Sequence, residues 1–245
     1  ACFVRSMHAH ARIVSIDVSS AMLAPGVRAV FTGRDLDAAG VGSIPCGWVV
    51  RNRDGTPMAE PPHPPLCIDR VRHVGDPVVL ILADTLLDAK DAADLVEIEY
   101  EPLPAVVVTG RASDPDAVLV WDQAPGNLCA DWELGDRREA DAALARAAHM
   151  VEIDLINNRL VANPMEPRAA RAQRDRSTGR YTLHTTSQNP HTIKSMLCGS
   201  VLHLPDDALR VIAPDVGGGF GTKIFLYPEE AAITWAAGRV DRAIR

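Results

Sequence analysis

The 245-residue chain has no C-x-x-C pair: Cys2, Cys46, Cys67, Cys129 and Cys198 are scattered and odd in number. That argues against a disulfide framework and against a zinc or iron–sulfur site in this segment, and it fits a reducing, cytoplasmic compartment. The 25 basic and 32 acidic residues give a net charge of −7, with no basic cluster of five or more, so a nucleic-acid surface is disfavoured and a neutral or small organic substrate fits better. No apolar run approaches the roughly 18–20 residues needed to span a bilayer, and no signal peptide is visible. The chain opens at Ala1 without Met and stops at Arg245 just after a predicted helix, so both ends read as cuts. No G-x-S-x-G elbow and no convincing Cys/His arrangement appears, which leaves hydrolytic nucleophile chemistry without support.

With 47% apolar residues, the chain can fill two cores. In the first half the pattern predicts a strand over 12–17, a helical turn over 20–23 and a strand over 27–31, a βαβ-like start. A Gly- and Pro-rich excursion follows over 38–65, as a surface loop or a partner-contacting arm. Beyond it come a strand over 78–82, a helix over 85–95 capped by Asp84, and a strand over 96–100 whose Val96, Ile98 and Tyr100 alternate with glutamates. The mixed order of elements points to an α+β unit ending near residue 110, with a low-pattern linker over 111–131.

In the second half, Asp136 with Glu139 opens a helix through Ala147, and Val151, Ile153 and Leu155 alternate as a strand. Asn163 to Arg168 form a rigid turn, with Glu166 and Arg168 as an ion pair or turn stabiliser. A strand over 181–186 runs into Gln188, Asn189 (an N-cap) and Pro190, so Gln188 sits at a strand-to-helix junction. A last helix opens at Tyr227-Pro228-Glu229-Glu230 and closes at Gly238; its two glutamates read as helix-start acids rather than a general base.

The stretch 213–223 stands out, with Gly217, Gly218, Gly219 and Gly221 surrounding Phe220. Glycines let a main chain approach a ligand closely and expose N–H donors. The spacing fails both G-x-G-x-x-G and G-x-x-x-x-G-K-[ST], so neither nucleotide reading follows. A tight bend that lets two backbones pack is the structural alternative. His8 and His10 share one face of an extended segment, but without a third ligand they read as surface residues. Gln188 alone reads as an ordinary exposed junction residue.

Taken together, three groups of strings carry a resemblance. Arg5-Ser6 with His8 to Ile13, Pro25-Gly26-Val27 with Val30 to Gly33, and Val74 to Val78 resemble a hammerhead α/β domain. Pro164 to Arg168, Thr186 to His191 and Gly217 to Gly221 resemble the first molybdopterin-binding domain of the same family. The chain thus resembles the N-terminal part of the molybdenum-binding large subunit of xanthine dehydrogenases, aldehyde oxidases and carbon monoxide dehydrogenases, with a hammerhead domain over 1–110, a linker over 111–131 and the first part of the cofactor domain over 132–245.

The resemblance implies an oxidoreductase that hydroxylates a substrate C–H, or oxidises CO, with oxygen from water at a molybdenum–molybdopterin centre, the pterin as molybdopterin or its cytosine dinucleotide. It implies that Gln188 hydrogen-bonds an oxo ligand of the metal and that Gly219, Phe220 and Gly221 pass beside the metal and dithiolene, with no protein ligand to the metal itself. It also implies an iron–sulfur small subunit, an FAD-binding medium subunit and a dimer of heterotrimers. Purine-hydroxylating members carry a glutamate directly after the motif lysine; here Ile224 follows Lys223, which disfavours a purine. The family's base glutamate and copper loop would fall beyond Arg245, so this fragment alone is expected to be inactive. Alternatives of another class are a non-catalytic assembly module or an inactive truncated product.

Overall fold

The computed structural model describes residues 1–158 and 160–245. In the first half the order is β1 (Cys2–Arg5), β2 (Ala11–Asp17), α1 (Ser19–Leu23), β3 (Val27–Thr32), α2 (Gly33–Ala38), β4 (Arg70–Val71), β5 (Pro77–Ala83), α3 (Leu86–Ala93) and β6 (Glu97–Pro102). Two antiparallel three-stranded sheets result, ordered β1-β5-β3 and β4-β2-β6. The βαβ-like start is therefore corrected: β2 and β3 flank α1 in sequence but belong to different sheets. β1 escaped the pattern reading because four residues are too few to establish a period.

β5 reads Pro-Val-Val-Leu-Ile-Leu-Ala, a continuous apolar run, and it takes the central place that such a run demands, buried on both faces. Each large side chain so buried contributes about 1.5–3 kcal/mol relative to exposure. Val79 and Ile81 join the core of the first half, with Ala11, Val71, Ala89 and Ala92. Leu80 and Leu82 face the other way, into a core shared with Leu183, Ile193, Leu197, Ile233 and Ala236 of the second half. β6 keeps the predicted alternation, with Ile98 and Tyr100 turned inward and its three glutamates exposed.

Helix α3 is capped by Thr85, not Asp84: Thr85 Oγ1 accepts from Asp88 N at 3.1 Å in a reciprocal capping box. Asp84 lies one residue too early and instead receives Arg28 and Arg242. The 38–65 excursion is only partly a surface loop. Gly42 N–H donates to Val201 O at 2.8 Å, Ile44 and Pro65 are buried, and Arg53 pairs with Asp131 and Glu133.

The second half contains α4 (Arg137–Ala145), β7 (Ala170–Arg174), β8 (Tyr181–Thr185), α5 (Pro190–Met196), β9 (Leu209–Ile212) and α6 (Pro228–Val240), with a π-helical turn over Leu197–Val201 after α5. Asp136 does cap α4, accepting from Glu139 N at 2.9 Å. No strand forms over 151–155: Val151, Ile153 and Leu155 are 83, 70 and 85% exposed, because no neighbouring strand among the described residues supplies hydrogen-bonding partners. α6 runs through Gly238 and ends where Asp241 turns left-handed at φ 54°. Glycine at that point serves packing instead, since a Cβ on Gly238 would fall 2.1 Å from Tyr181 Oη.

The third sheet, β7-β8-β9, pairs β7 with β8 antiparallel and β8 with β9 parallel. The overall class is α+β, as the sequence predicts. All five cysteines are free. Among the described residues, no helix is long and apolar enough to cross a membrane.

Candidate cofactor site

The topology of the third sheet brings three distant segments to one edge. β8 and β9 run parallel and end together, His184 opposite Ile212, so the chain leaves both at the same side. β7 enters from that side, with Ala170 opposite Thr185. The segment 164–169, the junction 186–189 and the glycine stretch 213–223 consequently meet there, at the carboxyl ends of two parallel strands, where α/β sheets commonly place ligands. Thr186 N–H to Ala169 O at 3.1 Å and Ala169 N–H to Thr186 Oγ1 at 3.1 Å fasten the first two.

Gln188 is fastened to the glycine loop by both backbone and side chain. Its N–H donates to Lys223 O at 2.8 Å. Its Oε1 accepts from Gly221 N–H at 3.1 Å and Lys223 N–H at 3.3 Å. With the carbonyl end of the amide committed inward, the Nε2 donor faces out, and Gln188 is exposed. This contact requires glycine at 219, where a Cβ would fall 2.2 Å from Gln188 Oε1. Phe220 next to it holds a left-handed φ of 51° and is 76% exposed, a strained backbone with an unpacked ring. The N–H groups of Gly219 and Phe220 have no partner among the described residues. Two adjacent backbone donors beside an outward amide form a neutral donor set suited to an anionic or oxygen-rich group. They are thus chemically suited to hold the implied molybdopterin through its acceptor atoms.

Glu166 and Lys223 hold the loop from beneath. Lys223 is 1% exposed, and its Nζ donates to Glu166 Oε2 at 2.8 Å and Glu166 O at 2.9 Å. The same Oε2 accepts from Gly217 N–H at 2.7 Å. Lys223 first, then Gly217, draw the Glu166 carboxyl below its ordinary pKa. The expected Glu166–Arg168 pair is therefore replaced. Arg168 lies over the Tyr227 ring at 3.4 Å and pairs with Glu229 at 3.7 Å, because the turn sends successive charged side chains to different neighbours.

Glu229 also meets Arg5 of β1 at 2.5 Å; burial pushes its carboxyl up, yet the Arg5 and Arg168 guanidiniums outweigh that and hold it down. Glu230 is buried and its carboxyl is pushed up, against the hydrogen bonds it accepts from Thr185 and Tyr227 N–H. His8 packs on Tyr100 and His10 is buried with Nδ1 on Pro104 O, so His10 departs from the surface reading. Lys223 and Glu166 were missed as a pair. They stand 57 positions apart, and no local spacing signals the contact.

Comparison with known proteins decides the family. Residues 120–245 match the molybdopterin cofactor-binding domain, and residues 1–104 match the aldehyde oxidase and xanthine dehydrogenase a/b hammerhead domain. The chain belongs to the xanthine dehydrogenase, aldehyde oxidase and carbon monoxide dehydrogenase family of molybdenum-binding large subunits. It is 35% identical over 237 residues to the carbon monoxide dehydrogenase large chain of Afipia carboxidovorans, covering 92% of this chain and 28% of that one. It is 35% identical over 247 residues to the nicotine 6-hydroxylase large subunit of Paenarthrobacter nicotinovorans, covering 100% and 29%. The quinoline 2-oxidoreductase of Pseudomonas putida 86 superposes with a TM-score of 0.82 at 33% identity, covering 100% of this chain and 30% of that structure. This molybdenum-family chain therefore spans less than a third of the length of these relatives.

Proposed function

We propose that the chain forms the N-terminal part of the large subunit of a molybdenum hydroxylase, with a hammerhead unit over 1–110, a linker over 111–131 and the start of the cofactor-binding domain over 132–245. The enzyme oxidises a C–H bond of an aldehyde or N-heterocycle, or CO, with oxygen taken from water. The relatives named for nicotine, quinoline and carbon monoxide support that range. Ile224 in place of a carboxylate argues against a purine. When bound, the molybdopterin centre supplies the two-electron oxidation, and the protein contributes placement and polarity.

In this reading Gln188 donates from Nε2 to an acceptor on the cofactor, and the Gly219 and Phe220 N–H groups donate beside it, with Gly221 completing the turn. The observation that carries the assignment is the capture of Gln188 Oε1 by Gly221 and Lys223, which leaves only the donor end of the amide for a ligand. A neutral donor of this kind steadies negative charge without adding charge of its own. The pterin is present as molybdopterin or its cytosine dinucleotide. Iron–sulfur and FAD groups reside on small and medium partner subunits, assembled as a dimer of heterotrimers in the cytoplasm.

The test is Gln188→Ala in the full-length, assembled enzyme. Turnover should fall about 10²-fold or more, on the scale of removing one oriented donor, while metal content stays at the wild-type level and stability falls by only about 1–2 kcal/mol, the cost of the two hydrogen bonds to Oε1. Wild-type turnover with metal intact would remove Gln188 from the site.

A further inference from the structure

We infer that Glu166 and Lys223 act as a positioning pair that fixes which face of the Gln188 amide meets the cofactor. The inference rests on the proposed role of Gln188 and goes one layer below it. The Gln188 carboxamide is chemically two-ended, and a half-turn about its last bond would present Oε1, an acceptor, where a donor is required. Two N–H groups prevent that turn, those of Gly221 and Lys223. Both belong to the glycine loop, which is braced within by Thr222 Oγ1 donating to Gly219 O at 2.8 Å and by Tyr227 Oη donating to Thr222 O at 2.5 Å.

The loop is pinned at its two ends by a single carboxylate oxygen. Glu166 Oε2 takes the Gly217 N–H at 2.7 Å at the entrance and the Lys223 ammonium at 2.8 Å at the exit. Lys223 has a double role, because its side chain is buried on Glu166 while its main chain bonds Gln188 through both N–H and C=O. Rotating or shifting Lys223 must therefore move the donors that orient Gln188. A buried ammonium without its carboxylate is strongly disfavoured, which gives the pair a single stable arrangement.

Two variants of the full-length holoenzyme separate positioning from folding. Glu166→Gln removes the charge but nearly preserves the shape. Glu166→Gln combined with Lys223→Met removes both charges, leaves no buried ion unpaired, and so keeps the fold. In both, hydrogen exchange of the peptide spanning 213–226 should accelerate roughly tenfold while the rest of the chain exchanges as wild type. At unchanged molybdenum content, the molybdenum EPR spectrum should shift in the same direction as it does in Gln188→Ala. Unchanged loop exchange in the double variant overturns the clamp. Faster exchange with a wild-type spectrum at full metal loading overturns the positioning role. A wild-type protein that purifies without molybdenum defeats the functional reading instead, and the exchange measurement still decides whether the pair holds the loop.

Discussion

Gly219→Ala puts a methyl group where Gln188 now lies. The added Cβ would sit 2.2 Å from Gln188 Oε1, 2.3 Å from Cδ and 2.6 Å from Cγ, so the amide must move by about an ångström to restore ordinary contact. Position 219 lies outside the left-handed region, so alanine strains no φ and the cost falls on Gln188. Losing the two hydrogen bonds from Gly221 and Lys223 costs about 0.5–1.5 kcal/mol each, toward the lower end because Gln188 is exposed and water can replace them. The expected destabilisation is about 1–2 kcal/mol. Turnover of the assembled enzyme should fall about 10²-fold, the scale of an ångström misplacement at a reacting centre.

Gly110→Ala is the control, since a Cβ there meets nothing within 4 Å and should leave turnover unchanged. The decisive comparison is the double variant Gly219→Ala with Gln188→Ala. If the methyl acts only by displacing Gln188, the double variant matches Gln188→Ala alone, a coupling as large as the single effect. Multiplicative losses would refute the reasoning.

Further perturbations test the supporting structure. Glu229→Ala breaks the contacts to Arg5 and Arg168 and should lower stability by about 1–3 kcal/mol, read as a lower urea midpoint. Gly42→Ala would bring a Cβ within 2.0 Å of Ser200 O, a backbone atom that cannot swing away, so about 3 kcal/mol is expected and an unchanged midpoint would contradict the packing of the 38–65 excursion on the second half. For pH, the Glu166 carboxyl is depressed in the folded protein, so its stabilisation is present above its unfolded value of roughly 4.3 and is lost as pH falls through the lower folded value. Exchange of the 213–226 peptide, corrected for its intrinsic pH dependence, should rise as pH falls below that unfolded value in wild type and show no such step in Glu166→Gln.

Elements whose signal is local were legible in the sequence. The apolar run of β5, the alternation of Ile98 and Tyr100, the Asp136 cap of α4 and the Pro228 start of α6 all appear where the pattern puts them. What depends on partners was not. Val151, Ile153 and Leu155 have a strand's period but no neighbour among the described residues to complete it. β2 and β3 look like one unit until the register with β6 and β5 assigns them to different sheets. At the site, the motif resemblance singled out Gln188, Gly219, Phe220 and Gly221, which the fold brings into one cluster. The pairings of Lys223 with Glu166 and of Arg5 with Glu229 stayed hidden because the partners lie 57 and 224 positions apart.

Metal and pterin analysis of the full-length protein, purified with its associated subunits, tests the central claim most directly. The account predicts molybdenum and molybdopterin together, near one of each per large subunit. A folded full-length protein that carries neither would contradict it.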